Sequence, residues 1–214
     1  IFNKIGIKNN PLKFGNKTIE QIEFLLHKAI LNKNHDLFVD IINDGIEFNL
    51  PTSGNRNFLI AAIEASDWQV ALFILKNAKT FHPKIVNIND NQYLHLTASR
   101  LRYATKDDES KFIIPLINLL INKGCDINGL NTANQTPLHR IASYSGTGDF
   151  IRLFHSLGAN IELKDVNGET PLHSAIKNLN IDVARTFLDL GADIYTKNSK
   201  NLTPIEAAVL IKEK

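Results

Sequence analysis

The sequence predicts an all-α solenoid, a stack of helix–turn–helix pairs joined by short projecting hairpins or turns, with five full repeats and part of a sixth. Three observations predict it. Thr136-Pro137-Leu138-His139 reappears as Thr170-Pro171-Leu172-His173 and begins again as Thr203-Pro204. Taking that Thr as the origin of a unit, successive origins at Phe24, Asn57, Gln92, Thr136, Thr170 and Thr203 lie 33, 35, 44, 34 and 33 residues apart. A glycine that ends the second helix, Gly45, Gly124, Gly158 or Gly191, stands 12 residues before the next origin each time. A fixed period of this length has to be settled first, because it decides the whole architecture.

Each letter of the unit has a physical reason. Thr caps the first helix, and Pro at the first helical position gives up an N–H that had no partner. Small residues such as Ala175 let the next unit approach, and the second helix supplies larger aliphatics. Leu120 and Leu188 are expected in the core, where truncation to Ala costs about 2–5 kcal/mol. The glycines end the second helix in a left-handed turn. Two residues before each origin stand Gly168, Asn134, Asn201, Asn55 and Asp90, residue types that tolerate positive φ at a hairpin turn.

The earlier units keep this chemistry in other letters: Leu25-Leu26-His27, Phe58-Leu59-Ile60 and Tyr93-Leu94-His95 stand where the motif falls. Residues 1–17 have no period and read as a linker or the edge of a preceding segment. The repeat domain is read as 18–214, with a capping first helix from Ile19. In the third unit eleven extra residues are read between the two helices, within 99–114, and Pro115 is placed in the first turn of the helix that follows. The chain has no methionine and opens on isoleucine, and is read as an excised piece of a longer protein.

Composition excludes several functions. The net charge is +2 with Lys and Arg dispersed, whereas nucleic-acid binding needs a basic stripe. No stretch approaches the roughly 18 apolar residues of a membrane span, and no signal peptide is seen. The single cysteine, Cys125, fits a reducing compartment and stands where sister units carry Ala, as a small buried residue. His27, His95, His139 and His173 share one repeat position, so they are spaced along the stack rather than converging on a metal. His35, His82 and His155 show no ligand-like neighbours. No phosphate loop or nucleophile motif occurs, and Asp107, Asp108 and Glu109 read as favourable charges at a helix start. No cofactor, metal or catalytic residue is expected. Interface anchors are sought among aromatics and Arg instead: Trp68, Tyr144, and Tyr103 with Arg100 and Arg102.

The chain resembles the ankyrin-repeat family over about residues 24–210, on Asp165-x-x-Gly168-x-Thr170-Pro171-Leu172-His173 and Gly191-Ala192-Asp193-Ile194 with their weaker copies. The resemblance implies helix pairs curved into a concave surface that binds another protein, through hairpin tips and the exposed end of the first helix. Carried to matching positions, the contacts are Ser53, Arg56, Asn89, Asn91, Ser99, Arg100, Thr132, Gln135, Ser143, Tyr144, Asn167, Glu169, Lys177, Asn178 and Lys200. The expected protein is a cytoplasmic, monomeric, non-catalytic binding module. Two alternatives stand beside it. One is a targeting or regulatory segment of a larger enzyme, or of a secreted bacterial effector acting in the host cytosol, as the Asn-, Lys- and Ile-leaning usage also resembles. The other is an insertion that binds a small ligand or cation.

Overall fold

A computed structural model describes residues 19–43, 57–78, 81–83 and 92–212. Residues 1–17, Thr18, Gly45, Asn55 and Asp90 lie outside them. The described residues are helical and turn-rich with no strand beyond an isolated bridge at Gln92, and the fold class is the one the period predicts. The chain forms two compact units, one of residues 1–88 and 104–124, the other of 89–103 and 125–214.

In the first unit α1 (Ile19–Leu31) pairs with α2 (His35–Asn43), and α3 (Phe58–Glu64) with α4 (Trp68–Asn77). First helix packs on first helix, α1 against α3. Leu26, Phe38, Ile41, Leu59, Ile63, Ile74 and Leu75 are fully buried, and Phe38 meets Phe73 edge to face with ring centroids 5.9 Å apart. Asn57 caps α3 by accepting from the Ile60 amide at 3.0 Å. Trp68, read from sequence as an exposed anchor, is instead 3% exposed. It opens α4 directly after the cap Asp67, so its ring turns inward among the aliphatics. His35 also departs from expectation, since its Nε2 lies 2.6 Å from the buried Asp67 carboxylate.

The insertion is helix, not loop. Thr105 and Asp108 cap each other around α6 (Lys106–Asp108), the Asp108 amide donating to the Thr105 hydroxyl at 3.1 Å and the carboxylate accepting back. A π-helical turn, Glu109–Ile113, then runs straight into α7 (Ile114–Asn122). Pro115 stands in the first turn of α7, but that turn follows backbone already helical at Ile113, with φ −73° and ψ −51°. The wider turn, in which the Ile114 amide reaches back to the Glu109 carbonyl, makes room for a proline ring that a regular helix interior would exclude. Lys111 pairs with Asp107 at 2.9 Å, and Lys106 with Glu109, so the acidic run is spent on the helix it starts.

In the second unit the first helices form one row: α5 (Tyr93–Arg100), α8 (Pro137–Ala142), α10 (Pro171–Lys177) and α12 (Pro204–Lys212). A short 3-10 turn, Leu101–Tyr103, extends α5. The second helices α9 (Gly148–Ser156) and α11 (Ile181–Asp189) pack on each other and on α8 and α10. On α11 the buried stripe is Val183, Thr186 and Phe187. Leu188 falls one position off it and is 44% exposed, which corrects its assignment to the core; Leu120 on α7 is fully buried as expected.

The repeated histidines lock this row together. The His139 Nδ1 accepts the Thr136 backbone N–H at 3.1 Å and lies 2.9 Å from its hydroxyl. His173 does the same with Thr170, at 3.2 and 3.0 Å. With Nδ1 accepting, the ring proton sits on Nε2. That N–H donates into the next repeat, His139 to the Glu169 carbonyl at 2.9 Å and His173 to the Leu202 carbonyl at 3.3 Å. The His95 Nε2 meets the Gln135 carbonyl in the same way at 2.7 Å. In the last unit Glu206 takes the capping role, accepting the Thr203 amide at 2.8 Å.

The tips are Asx-supported turns. Asn131, Asp165 and Asn198 each accept two amides through one side-chain oxygen: those of Ala133 and Gln135, of Asn167 and Glu169, and of Lys200 and Leu202. The predicted left-handed residues follow, Asn134 at φ 52°, Gly168 at 70° and Asn201 at 62°. At Gly168 a Cβ would also stand 2.8 Å from the Ser199 amide nitrogen, so glycine is required for close approach as well as for φ. Backbone bonds run from tip to tip, the Val166 amide to the Ala133 carbonyl and the Ser199 amide to the Asn167 carbonyl.

Candidate functional site

Of the residues expected to contact a partner, Ser53, Arg56, Asn89 and Asn91 lie outside the described residues. The rest belong to the second unit, and the structure sorts them into three groups. Thr132, Asn167 and Lys200 are exposed on consecutive tip turns, held in a row by the tip-to-tip backbone bonds. Gln135 is half-buried at the base of its tip, its carbonyl already accepting from His95. Ser99 and Ser143 turn their hydroxyls back onto the carbonyls of Leu96 and His139, and Asn178 returns its amide to Ser174. These three side chains finish their own helices. Arg100 is half-buried at the end of α5.

The second group surrounds a concavity. Glu169 at the fourth repeat's far tip, Lys177 at the end of α10 and Lys200 on the next tip line a cavity of about 340 Å³ together with Asn198, Leu202, Ala207 and Leu210. Glu169 is nearly buried, and both its oxygens take the Lys177 ammonium, at 2.8 and 2.7 Å. This pair is an internal clasp rather than a free contact, since each charge neutralises the other. Lys200 is exposed and, among the described residues, has no ion pair. The floor of Leu202, Ala207 and Leu210 is apolar. A cation over an apolar floor is suited to a partner side chain that is greasy at one end and anionic at the other.

The third group is aromatic. The Arg102 guanidinium carbon lies 4.5 Å from the centroid of the Tyr103 ring and 4.4 Å from that of Tyr144, and Arg102 also donates to the Tyr103 hydroxyl. Sequence reasoning named all three residues but not their juxtaposition. The signal was available in part, since each stands just past the end of a first helix.

Burial pushes the Cys125 thiol up to about 12, so it is protonated at neutral pH and neither a nucleophile nor a ligand. Burial also holds the His139 and His173 imidazoles below their ordinary range. Among the described residues no group of His, Cys, Asp and Glu converges as a metal site. No described helix is long and apolar enough to cross a membrane.

Comparison with known proteins agrees with the geometry. Residues 101–198 match a family model described as ankyrin repeats, in three copies. The human transient receptor potential cation channel subfamily A member 1 is 26% identical over 188 residues, 73% of this chain and 16% of the channel. The fowlpox virus protein FPV230, whose name marks it as an ankyrin repeat protein, is 25% identical over 152 residues, 71% of this chain and 73% of its own length. Mouse rabankyrin-5 is 38% identical over 71 residues, 28% of this chain and 6% of that protein. The chain thus spans a small part of two of these relatives. The period, the Thr–His capped helices, the Asx-supported tips and the three matched copies together establish that residues 101–198 carry ankyrin repeats, in general a class of non-catalytic protein-interaction modules.

Proposed function

We propose that residues 18–214 form a protein-binding array whose partner seats at the tips and first helices of the second unit, around the concavity between α10 and α12. The observation that carries this reading is that Glu169, Lys177 and Lys200, chosen separately by repeat position, line one apolar-floored cavity. The Glu169–Lys177 clasp supports it, because a pair already desolvated and ordered costs the partner little further ordering. A stable complex would cover about 800 Å² of this surface, which takes in the exposed tips at Thr132 and Asn167. No catalytic step is assigned to the chain, and a reducing, cytoplasmic setting suits its single buried thiol.

The test is affinity capture with the 214-residue chain, with captured proteins identified by mass spectrometry and the capture repeated with Lys200→Glu. The expected result is a specific partner retained by the unaltered chain and lost from the variant, with an unchanged thermal midpoint. A partner bound equally by both removes the concavity from the reading.

A further inference from the structure

The second unit carries another surface, where each first helix turns into its partner. Arg102 and Tyr103 stand just past α5, Tyr144 just past α8, Leu179 between α10 and α11, and Ile181 at the start of α11. Two hydrogen bonds tie the last two turns together: the Gly146 amide donates to the Asp182 carboxylate at 2.7 Å, and the Asn180 side chain donates to the Ala142 carbonyl at 3.0 Å. Through Tyr144 the same edge continues to Arg102.

Three features of this edge are costly for a surface with no use. Tyr103, Leu179 and Ile181 are 54%, 64% and 73% exposed, an apolar run where charged residues would serve solubility better. Leu179 also has φ of 57°, a left-handed conformation that a leucine adopts with strain and that glycine or asparagine adopts freely. The equivalent turn one repeat earlier uses Gly146. Third, Arg102 is held against two rings and, among the described residues, pairs with no carboxylate. A guanidinium pinned by its face has its side-chain freedom already restricted, and beyond the N–H given to the Tyr103 hydroxyl it keeps in-plane N–H groups for a charge-assisted bond to an acceptor.

We propose that this inter-helix edge of repeats three to five is a second docking surface, for a protein segment bearing an Asp or Glu carboxylate beside aliphatic side chains. The carboxylate pairs with Arg102, and the neighbouring aliphatics cover Leu179 and Ile181. A nucleic-acid strand fits the edge poorly, since the exposed Tyr103, Leu179 and Ile181 offer no charge to successive phosphates. The acidic residue nearest the apolar pair, Asp182, is engaged by Gly146. The proposal extends the reading of the chain as a protein-binding array but uses residues that do not line the concavity.

The experiment is selection of a displayed library of random short peptides on the 214-residue chain. The selected pool is then bound in parallel to the unaltered chain and to Arg102→Gln, Leu179→Asn and Lys200→Gln variants, each checked for helical content and thermal midpoint. The expected pool is enriched in Asp or Glu next to Leu, Ile or Val. It binds Arg102→Gln roughly tenfold more weakly, as loss of a charge-assisted pair requires, and binds Lys200→Gln unchanged. Leu179→Asn, which keeps the left-handed turn, also weakens it while leaving the fold at least as stable. Full retention on Arg102→Gln overturns the proposal, as does a pool without acidic residues. A pool lost on Lys200→Gln alone overturns it too and leaves the concavity in place. Binding of a single-stranded oligonucleotide that Arg102→Gln abolishes overturns it in favour of nucleic acid.

Discussion

At the scale of single residues, the histidines and the left-handed turn positions carry the clearest consequences. His139 is held neutral by burial, its Nδ1 accepting and its Nε2–H donating. The unfolded chain protonates the same imidazole near pH 6.5. Its folded value is the lower of the two, so the unfolded state takes up the proton first as pH falls. The contribution is complete above about pH 6.5 and is lost progressively below it, as pH falls towards the lowered folded value. Urea midpoints should therefore fall on acidification through that range, and His139→Asn should flatten the fall; an equal slope in both proteins would show that His139 does not supply it. Leu179 gives the opposite kind of prediction. Replacing it with Gly relieves the positive φ and removes exposed apolar surface, and should raise stability by about 0.5–1 kcal/mol by chemical denaturation.

Most of the array was legible at the scale of elements, because the motif is a set of local physical instructions. Thr136, Thr170 and Asn57 start helices as capping residues, and Asn134, Gly168 and Asn201 have the left-handed conformation their residue types allowed. The left-handed residues inside the helix pairs, Lys33, Ser66 and Leu179, were not legible, since none is a residue that announces such a turn. The helical character of the insertion was not legible for a related reason. Eleven residues inside one repeat offer no second copy to compare with, and a π-helical turn has neither the 3.6-residue period of a helix nor the look of a loop. Pro115 stands in the first turn of α7, where the sequence placed it. Leu188 was misplaced because Thr186, a polar residue, fills a place in the buried stripe of α11. The two leucines can be separated by experiment. Leu120→Ala should cost about 2–5 kcal/mol and Leu188→Ala less than about 1 kcal/mol, and equal shifts in the denaturation midpoint would contradict the burial pattern.

At the scale of the whole molecule, candidate contact positions could be named from the sequence, but their surroundings could not. The family resemblance, carried along the repeat register, selects Glu169, Lys177 and Lys200; only the fold reveals that the first two close on each other and that the third lines one cavity with Leu202, Ala207 and Leu210. The charge left for a partner is therefore smaller than the sequence indicates. Because Lys200 is exposed, its attraction to an anionic group is screened within about 8 Å at physiological salt. Binding at the concavity should weaken several-fold between low and physiological salt in a titration followed by fluorescence. The Lys200→Gln variant should lose that dependence, and a salt dependence unaltered by the substitution would assign it elsewhere.

The cross-repeat histidine bonds have a further consequence for how such a chain changes over time. His95, His139 and His173 bond to the backbone carbonyls of Gln135, Glu169 and Leu202, an amide, an acid and an aliphatic. Because the joint reads main chain, it does not depend on which side chain its neighbour carries. A unit can be duplicated, deleted or exchanged with no matching substitution in the unit that receives it. The tip residue at each joint can change without loss of the histidine bond itself, so this joint places no constraint of its own on positions well placed to meet a partner.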